Sequence, residues 1–363
     1  MKLGFLYAGQ GSQHPGMGAD LYAACPAFRA VLDGADVGFD LKAVSFSDPD
    51  GVLNQTRYTQ PCMVAFAAGL TAVLRELGVT PAAALGLSLG EYSALHAAGV
   101  FDARTAVELA AFRGRAMEEA AAGVESAMVA VLGLDREKLQ AACETAAALG
   151  VATIANYNCP GQLVIGGEKA AVERAAALAK EAGARRCMPL KVSGPFHTPL
   201  MAPAGEALRR RFAGMTFHAP TIPVLFNCLG GPMGEGDTIP ELLVRQVQSS
   251  VYLEDSLRAV AQMGLDALVE IGPGKVLSGF VRKTVPEIPV FPVETAEEAA
   301  ALPEKLASGR RSTHELYRQD RRGDRRQPGH RPGNLPGAGP KGRPCGAVLR
   351  GQRGRGQGDR GRL

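Results

Sequence analysis

Residues 82–97 read AAALGLSLGEYSALHA, and the rest of the chain is organised around them. Pro81 to Leu85 is a short apolar run of the buried-strand kind, and Glu91 to Ala98 is a good helix former. Gly86-Leu87-Ser88-Leu89-Gly90 joins them. A strand, a G-x-S-x-G turn and a helix in that order make a nucleophile elbow. The tight bend lifts the serine hydroxyl above the sheet edge. The flanking glycines are needed because strand and helix come too close for a Cβ. The amide of Leu89 then lies at a helix N-terminus, where a developing oxyanion is stabilised. The alternative is a Gly-Ser loop without chemistry; the strand before it and the helix after it argue against that.

The chain has 363 residues, enough for a sizeable core and more than one subdomain. Its Ala-rich composition fits a globular α/β protein. No apolar run reaches membrane-spanning length, and MKLGFLYAGQG is too short and strand-like for a secretory signal. The seven cysteines contain no C-x-x-C pair, so they read as reduced thiols of a cytoplasmic protein rather than a disulfide frame or a zinc site. No His/Cys/Asp cluster has metal-ligand spacing, so no metal is expected.

The charge is unevenly placed. Residues 308–363 hold 15 Lys/Arg against four acids, a net +11; with +4 overall, residues 1–307 carry −7. The body is thus acidic, and the basic character belongs to a tail of Gly, Arg, Pro and Gln that has too few apolar residues to order itself. Three readings compete: an Arg-Gly-rich nucleic-acid binder, a solvated extension without a role, and out-of-frame translation. The third is preferred. With GC-rich codons, 318–339 reads in the +1 frame like the cofactor loop of a short-chain reductase. Nucleic acid is therefore not expected as a partner.

Along the chain, Lys2 to Ala8 is a buried first strand leading into the donor-rich loop Gly9-Gln10-Gly11-Ser12-Gln13. Helices are expected over Asp20–Leu32, from near Gln60-Pro61 within Thr56–Gly78, and over Thr105–Ala122. The last carries Arg113 and Arg115 on different faces. From 126 to 192 the order becomes βαββαβ, with Asp135 as a helix cap, which is that of a ferredoxin-like unit. The reading is a small subdomain at 126–192 inserted between 1–125 and 193–307; further layers of a single sheet are the alternative. The chain then returns through a loop at Lys191–Pro199 and the helix–strand sequence ending near Leu306.

A serine hydroxyl needs a base. Of six histidines, His314 and His330 fall in the tail, and His96 lies two turns down the elbow helix and points away. His197, in Ser193-Gly-Pro-Phe-His-Thr-Pro-Leu200, is mounted between two prolines. By position it leads, with His14 next and a purely structural histidine as the alternative.

These residues carry a resemblance. GQGSQ at 9–13, GLSLGEYSAL at 86–95, FRGRAM at 112–117, NCPGQLVIGG at 158–167, GPFHTPLM at 194–201, LVRQV at 243–247 and EIGPGKVLSGF at 270–280 match, in order, malonyl-CoA:acyl carrier protein transacylases. The chain resembles these acyltransferases of type II fatty acid synthesis over about residues 1–300. The resemblance implies an α/β fold, an α/β-hydrolase-like large subdomain with the ferredoxin-like unit inserted. It implies ping-pong malonyl transfer from malonyl-CoA to the thiol of holo acyl carrier protein, without a cofactor. By matching position, Ser88 is the nucleophile and His197 the general base and acid, with the main-chain carbonyl of Gln246 holding its tautomer. Gln10 and Leu89 supply oxyanion amides, Gln60 lines the pocket, and Arg113 pairs with the malonyl carboxylate. Phe196 fills the space of a methylmalonyl branch. Leu87 departs from the family's usual histidine there, which bears on packing at the elbow. A polyketide-pathway acyltransferase and a serine hydrolase on the same elbow are the rival functions.

Overall fold

The computed structural model describes residues 1–308; the basic tail, with His314, His330 and Cys345, lies outside the described residues. β1 (Leu3–Tyr7) is buried at all five positions, as a strand covered on both faces must be. It is followed by α1 (Ala19–Ala24), α2 (Pro26–Asp33), α3 (Leu41–Phe46) and the long α4 (Thr56–Glu76). The single helix expected over Asp20–Leu32 is two. Pro26 opens the second, and a residue before proline avoids the helical region, so Cys25 is extended (φ −117°, ψ 108°). α4 begins at Thr56, not near Pro61, which sits inside the helix.

β2 (Pro81–Gly86) enters the elbow and α5 (Gly90–Ala97) leaves it; α6 (Ala103–Ala121) follows, capped by the Asp102 carboxylate on the Thr105 amide. Next come β3 (Ser126–Leu132), α7 (Arg136–Ala146), β4 (Ala152–Cys159), β5 (Gln162–Glu168), α8 (Lys169–Glu181) and β6 (Arg186–Pro189). Asp135 caps α7 as expected, accepting from the Lys138 amide. The remainder is α9 (Ala202–Phe212), β7 (Leu225–Phe226), β8 (Gly231–Pro232), α10 (Ile239–Val247), β9 (Val251–Tyr252), α11 (Leu253–Ala261), β10 (Ala267–Ile271), α12 (Val276–Thr284) and β11 (Val290–Val293), then a helix over 296–308.

Two main sheets result. The first is parallel, in the order β11-β10-β1-β2, with Tyr7 paired to both Ile271 and Gly86. The ends of β1 and β2 are thereby brought side by side, which sets the loop at 9–13 against the elbow. The second has the order β6-β3-β5-β4-β9 and is antiparallel apart from the β4–β9 pair. Its fifth strand, β9, comes from far outside 126–192, a pairing of two residues too short to read from pattern. Alternation assigns its faces: Val129 and Val131 pack in one cluster with Leu139, Leu163, Ile165 and Val172, while Met128 and Ala130 join the main core. No described helix is long and apolar enough to cross a membrane.

Candidate active site

The elbow is sterically closed to anything but glycine at its ends. A Cβ on Gly86 would sit 2.1 Å from the Gly90 carbonyl carbon, and one on Gly90 would sit 2.3 Å from the Tyr7 oxygen. Between them Ser88 takes a left-handed conformation, φ 52°, which costs a non-glycine residue about 1–3 kcal/mol. His197 is held the same way, φ 61°, in a loop where Thr198 Oγ1 donates to the Pro195 carbonyl. The two strained residues face each other: Ser88 Oγ lies 2.6 Å from His197 Nε2.

The second ring nitrogen fixes the tautomer. His197 Nδ1 is 2.9 Å from the main-chain oxygen of Gln246, in the last turn of α10. A carbonyl only accepts, so Nδ1 carries the proton and Nε2 is left to accept from the serine. Burial and then the charge of Arg113 push the imidazole down to about 4, so it is neutral at ordinary pH.

Arg113, in the middle of α6, is 1% exposed. Its Nη2 donates to Ser88 Oγ at 3.2 Å and to Gln246 Oε1 at 3.1 Å, while its Nε has no partner. The guanidinium lies 5.6 Å from the Tyr92 ring centroid, and burial pulls its pKa below the usual arginine value. A guanidinium buried with an unused donor is a site built to receive an acceptor. Arg115, two residues on, is exposed.

The other expected residues fall around this centre. The amides of Leu89 and Gln10 donate to nothing among the described residues. Gln10 Nε2 donates to Thr56 Oγ1 at 3.0 Å, and Gln60 stands behind it, donating to Gln10 Oε1 at 3.3 Å. Gln60 Oε1 is buried without a partner. Phe196 is buried in the main core next to His197. Leu87 turns outward: its side chain packs at Gly9 and walls a cleft of about 190 Å³ shared with Gln10, Asn158, Leu277 and Phe280. The position that departs from the family pattern therefore borders the cleft while packing against the main core. A larger cleft of about 530 Å³, lined by Arg75, His96 and His218, lies at the far end of α5 and touches none of these groups.

Of the four described histidines His197 alone reaches Ser88. His14 is tied to Glu294 at 2.5 Å, which raises its pKa, and His96 Nδ1 meets the Phe101 carbonyl at 3.1 Å. Two residues escape sequence reasoning. Asn227, just after β7, accepts from the Ser88 amide at 2.5 Å and donates to the Gly86 carbonyl at 2.7 Å. Glu91 accepts from the Asn227 amide at 2.6 Å, and its other oxygen has no partner; burial raises the carboxyl to about 8. An acid on the first turn after the elbow was the one available signal; Asn227 had none.

A serine on an elbow, a neutral imidazole against it and unused amides beside it make a site for acyl transfer through an ester, and the acyl transferase domain family model matches residues 4–319. The chain is 42% identical over 305 residues to the malonyl CoA-acyl carrier protein transacylase of Escherichia coli (strain K12), covering 83% of this chain and 99% of that protein. It is 41% identical over 285 residues to the enzyme of the same name from Bacillus subtilis (strain 168), covering 78% and 90%. A crystal structure of the Streptococcus pneumoniae MCAT superposes with a TM-score of 0.80 at 46% identity, over 84% of this chain and all of that one. A malonyl-transacylase solved with its type II polyketide acyl-carrier protein superposes at 0.81 with 38% identity, over 84% of this chain and 100% of that one. The chain belongs to the malonyl CoA-acyl carrier protein transacylase family.

Proposed function

We propose that this chain moves the malonyl group from malonyl-CoA to the phosphopantetheine thiol of holo acyl carrier protein through a malonyl ester on Ser88, supplying fatty acid synthesis in the cytoplasm. The observation that carries the malonyl reading is Arg113, a buried guanidinium 3.2 Å from the nucleophile with an unused N–H. A carboxylate-bearing acyl group satisfies it with charge-assisted bonds; an acetyl group leaves it unpaired.

His197 Nε2 takes the proton from Ser88 Oγ as it attacks the thioester carbonyl. The oxyanion is held by the amides of Leu89 and Gln10. The C–S bond breaks, and coenzyme A leaves with the proton from Nε2. The carrier's thiol then gives its proton to Nε2 and attacks the ester carbonyl, and Ser88 leaves reprotonated. A carbonyl, not a carboxylate, stands behind the imidazole, so the imidazolium is less stabilised than in a serine–histidine–acid triad. The substrate offsets part of this: its carboxylate neutralises Arg113, whose charge adds to burial in depressing His197 in the free enzyme. Gln60 backs Gln10, and Phe196 excludes a branch at the α-carbon. No step uses a resident cofactor or metal.

We place this chemistry on an α/β-hydrolase-like subdomain, 1–125 and 193–307, with 126–192 as an inserted ferredoxin-like unit. A separate apolar cluster behind the second sheet supports the division. The likeness to a transacylase bound to a polyketide carrier supports a second reading, the same reaction serving that pathway. Intact mass after incubation with malonyl-CoA tests the transfer. One malonyl adduct is expected on the wild type and none on Ser88→Ala. Rapid release of free malonate without a thiol acceptor would convert the reading to a hydrolase.

A further inference from the structure

Ser88 has both main-chain polar groups held by carboxamides from far along the chain. Its N–H donates to Asn227 Oδ1 at 2.5 Å, and its carbonyl accepts from Gln246 Nε2 at 2.8 Å. The same Asn227 carboxamide donates from Nδ2 to the Gly86 carbonyl at 2.7 Å, so one planar group bridges the first half of the bend, from Gly86 to Ser88. Asn227 is itself pinned. Its N–H donates to Glu91 Oε2 at 2.6 Å, its carbonyl accepts from the Tyr252 amide at 2.8 Å, and it is 1% exposed.

We infer that Asn227, anchored by Glu91, is a positioning residue for the nucleophile. Its carboxamide locks the left-handed bend at Ser88 and keeps the hydroxyl within reach of His197. It also removes the Ser88 N–H from the set of oxyanion donors, leaving the Leu89 and Gln10 amides to that task. Asn227 touches no reacting atom. The inference rests on the malonyl-transfer reading, because acylation is its readout.

Single-turnover acylation by malonyl-CoA, followed by intact mass, tests it. Asn227→Ala is expected to lower the acylation rate constant about 100-fold, since misplacing a reacting group by about 1 Å costs that much. The half-saturating malonyl-CoA concentration is expected to stay within about threefold, because Arg113 keeps its surroundings. Asn227→Asp gives a second, chemical readout. A protonated Asp copies the carboxamide, accepting from Ser88 N–H and donating to Gly86; an ionised one cannot donate. Its acylation rate is therefore expected to rise as pH falls from about 7 to about 5.5, while the wild type stays flat. The titratable or charged groups near position 227 are Glu91 on α5, with Tyr92 and Arg113 beside it, and the Cys228 thiol, which feels Arg245 on α10 and Asp237. All are common to both proteins, so a difference between the profiles belongs to residue 227.

Wild-type acylation by folded Asn227→Ala, or a wild-type pH profile in Asn227→Asp, would overturn the inference, and Asn227→Asp decides alone if the alanine variant does not fold. Failure of the wild-type protein itself to acquire the adduct would overturn the transfer reading beneath it.

Discussion

The apolar cluster behind the second sheet and the elbow at the end of the first bury different contents. Behind β3–β6 lies a hydrophobic cluster of 14 buried residues, Val131, Leu139 and Leu163 among them. At the elbow, Glu91, Arg113, His197, Asn227 and Gln246 are each at most 4% exposed. Of the buried side-chain atoms without a hydrogen-bond partner among the described residues, four, on Gln60, Glu91, Tyr92 and Arg113, surround the elbow, and two, on Thr153 and Asn158, lie on β4. The apolar cluster sums many small, interchangeable contacts and tolerates any change that keeps its volume. The polar one depends on angles and on a few atoms left open, so it is sensitive to changes that scarcely alter volume. The first cluster is built of apolar contacts; the second keeps unpaired polar atoms beside the nucleophile.

That contrast can be broken by experiment. The largest effect is expected from Arg113→Ala, which should cut malonyl kcat/KM by about a thousandfold or more with little loss of stability. Arg113→Lys should recover little, because a point charge does not reproduce the planar fork. A melting temperature that falls as far as activity does would make Arg113 merely part of the core. Next, Leu163→Ala in β5 should cost about 2–5 kcal/mol in chemical denaturation while leaving acylation per folded molecule unchanged. Equal loss of both would erase the distinction between the two regions.

Phe196→Ser should raise methylmalonyl transfer relative to malonyl by about tenfold, the scale of one branch in a pocket. No gain at all would remove Phe196 from the specificity account. The smallest effect should come from pH. With His197 pushed down to about 4, the base is already unprotonated at neutral pH. Malonyl kcat/KM should therefore be flat from about pH 5.5 to pH 7 and decline only as His197 takes a proton below that. The same shift has a stability sign. The unfolded histidine binds its proton near its ordinary value and the folded one does not, so stability should fall as pH drops from about 6.5 toward 4.

The elbow was legible because its chemistry is local: two glycines, a serine, a strand and a helix are all written within 17 residues, and the close approaches at Gly86 and Gly90 explain the spacing. The βαββαβ order at 126–192 was legible for a similar reason, since alternation and the Asp135 cap are short-range signals. Pro26 was read through as helix interior although it begins a new helix. The six-residue α3 carries too few turns to show a period. What pattern could not deliver were contacts across long separations. Asn227 lies 139 residues from Ser88, and the β4–β9 pairing joins segments nearly 100 residues apart through two residue pairs. Nothing local marks an asparagine as the brace of a distant bend. His197 leads by its mount between two prolines, whereas the role of Arg113 comes through the family resemblance, and their distances to Ser88 follow only from the packing of α6 and α10 beside the elbow.

The parallel pairing of β1 with β2 has a further consequence. On the proposed assignment the two oxyanion amides stand at the exits of these neighbouring strands, Gln10 after one and Leu89 after the other. β1 is an inner strand, held by β10 on one side and β2 on the other, so the spacing of the two amides is set by one of the least removable elements of the sheet. The register of two neighbouring strands thus does for the developing charge what a rigid jig does for a workpiece: it fixes the gap before the substrate arrives.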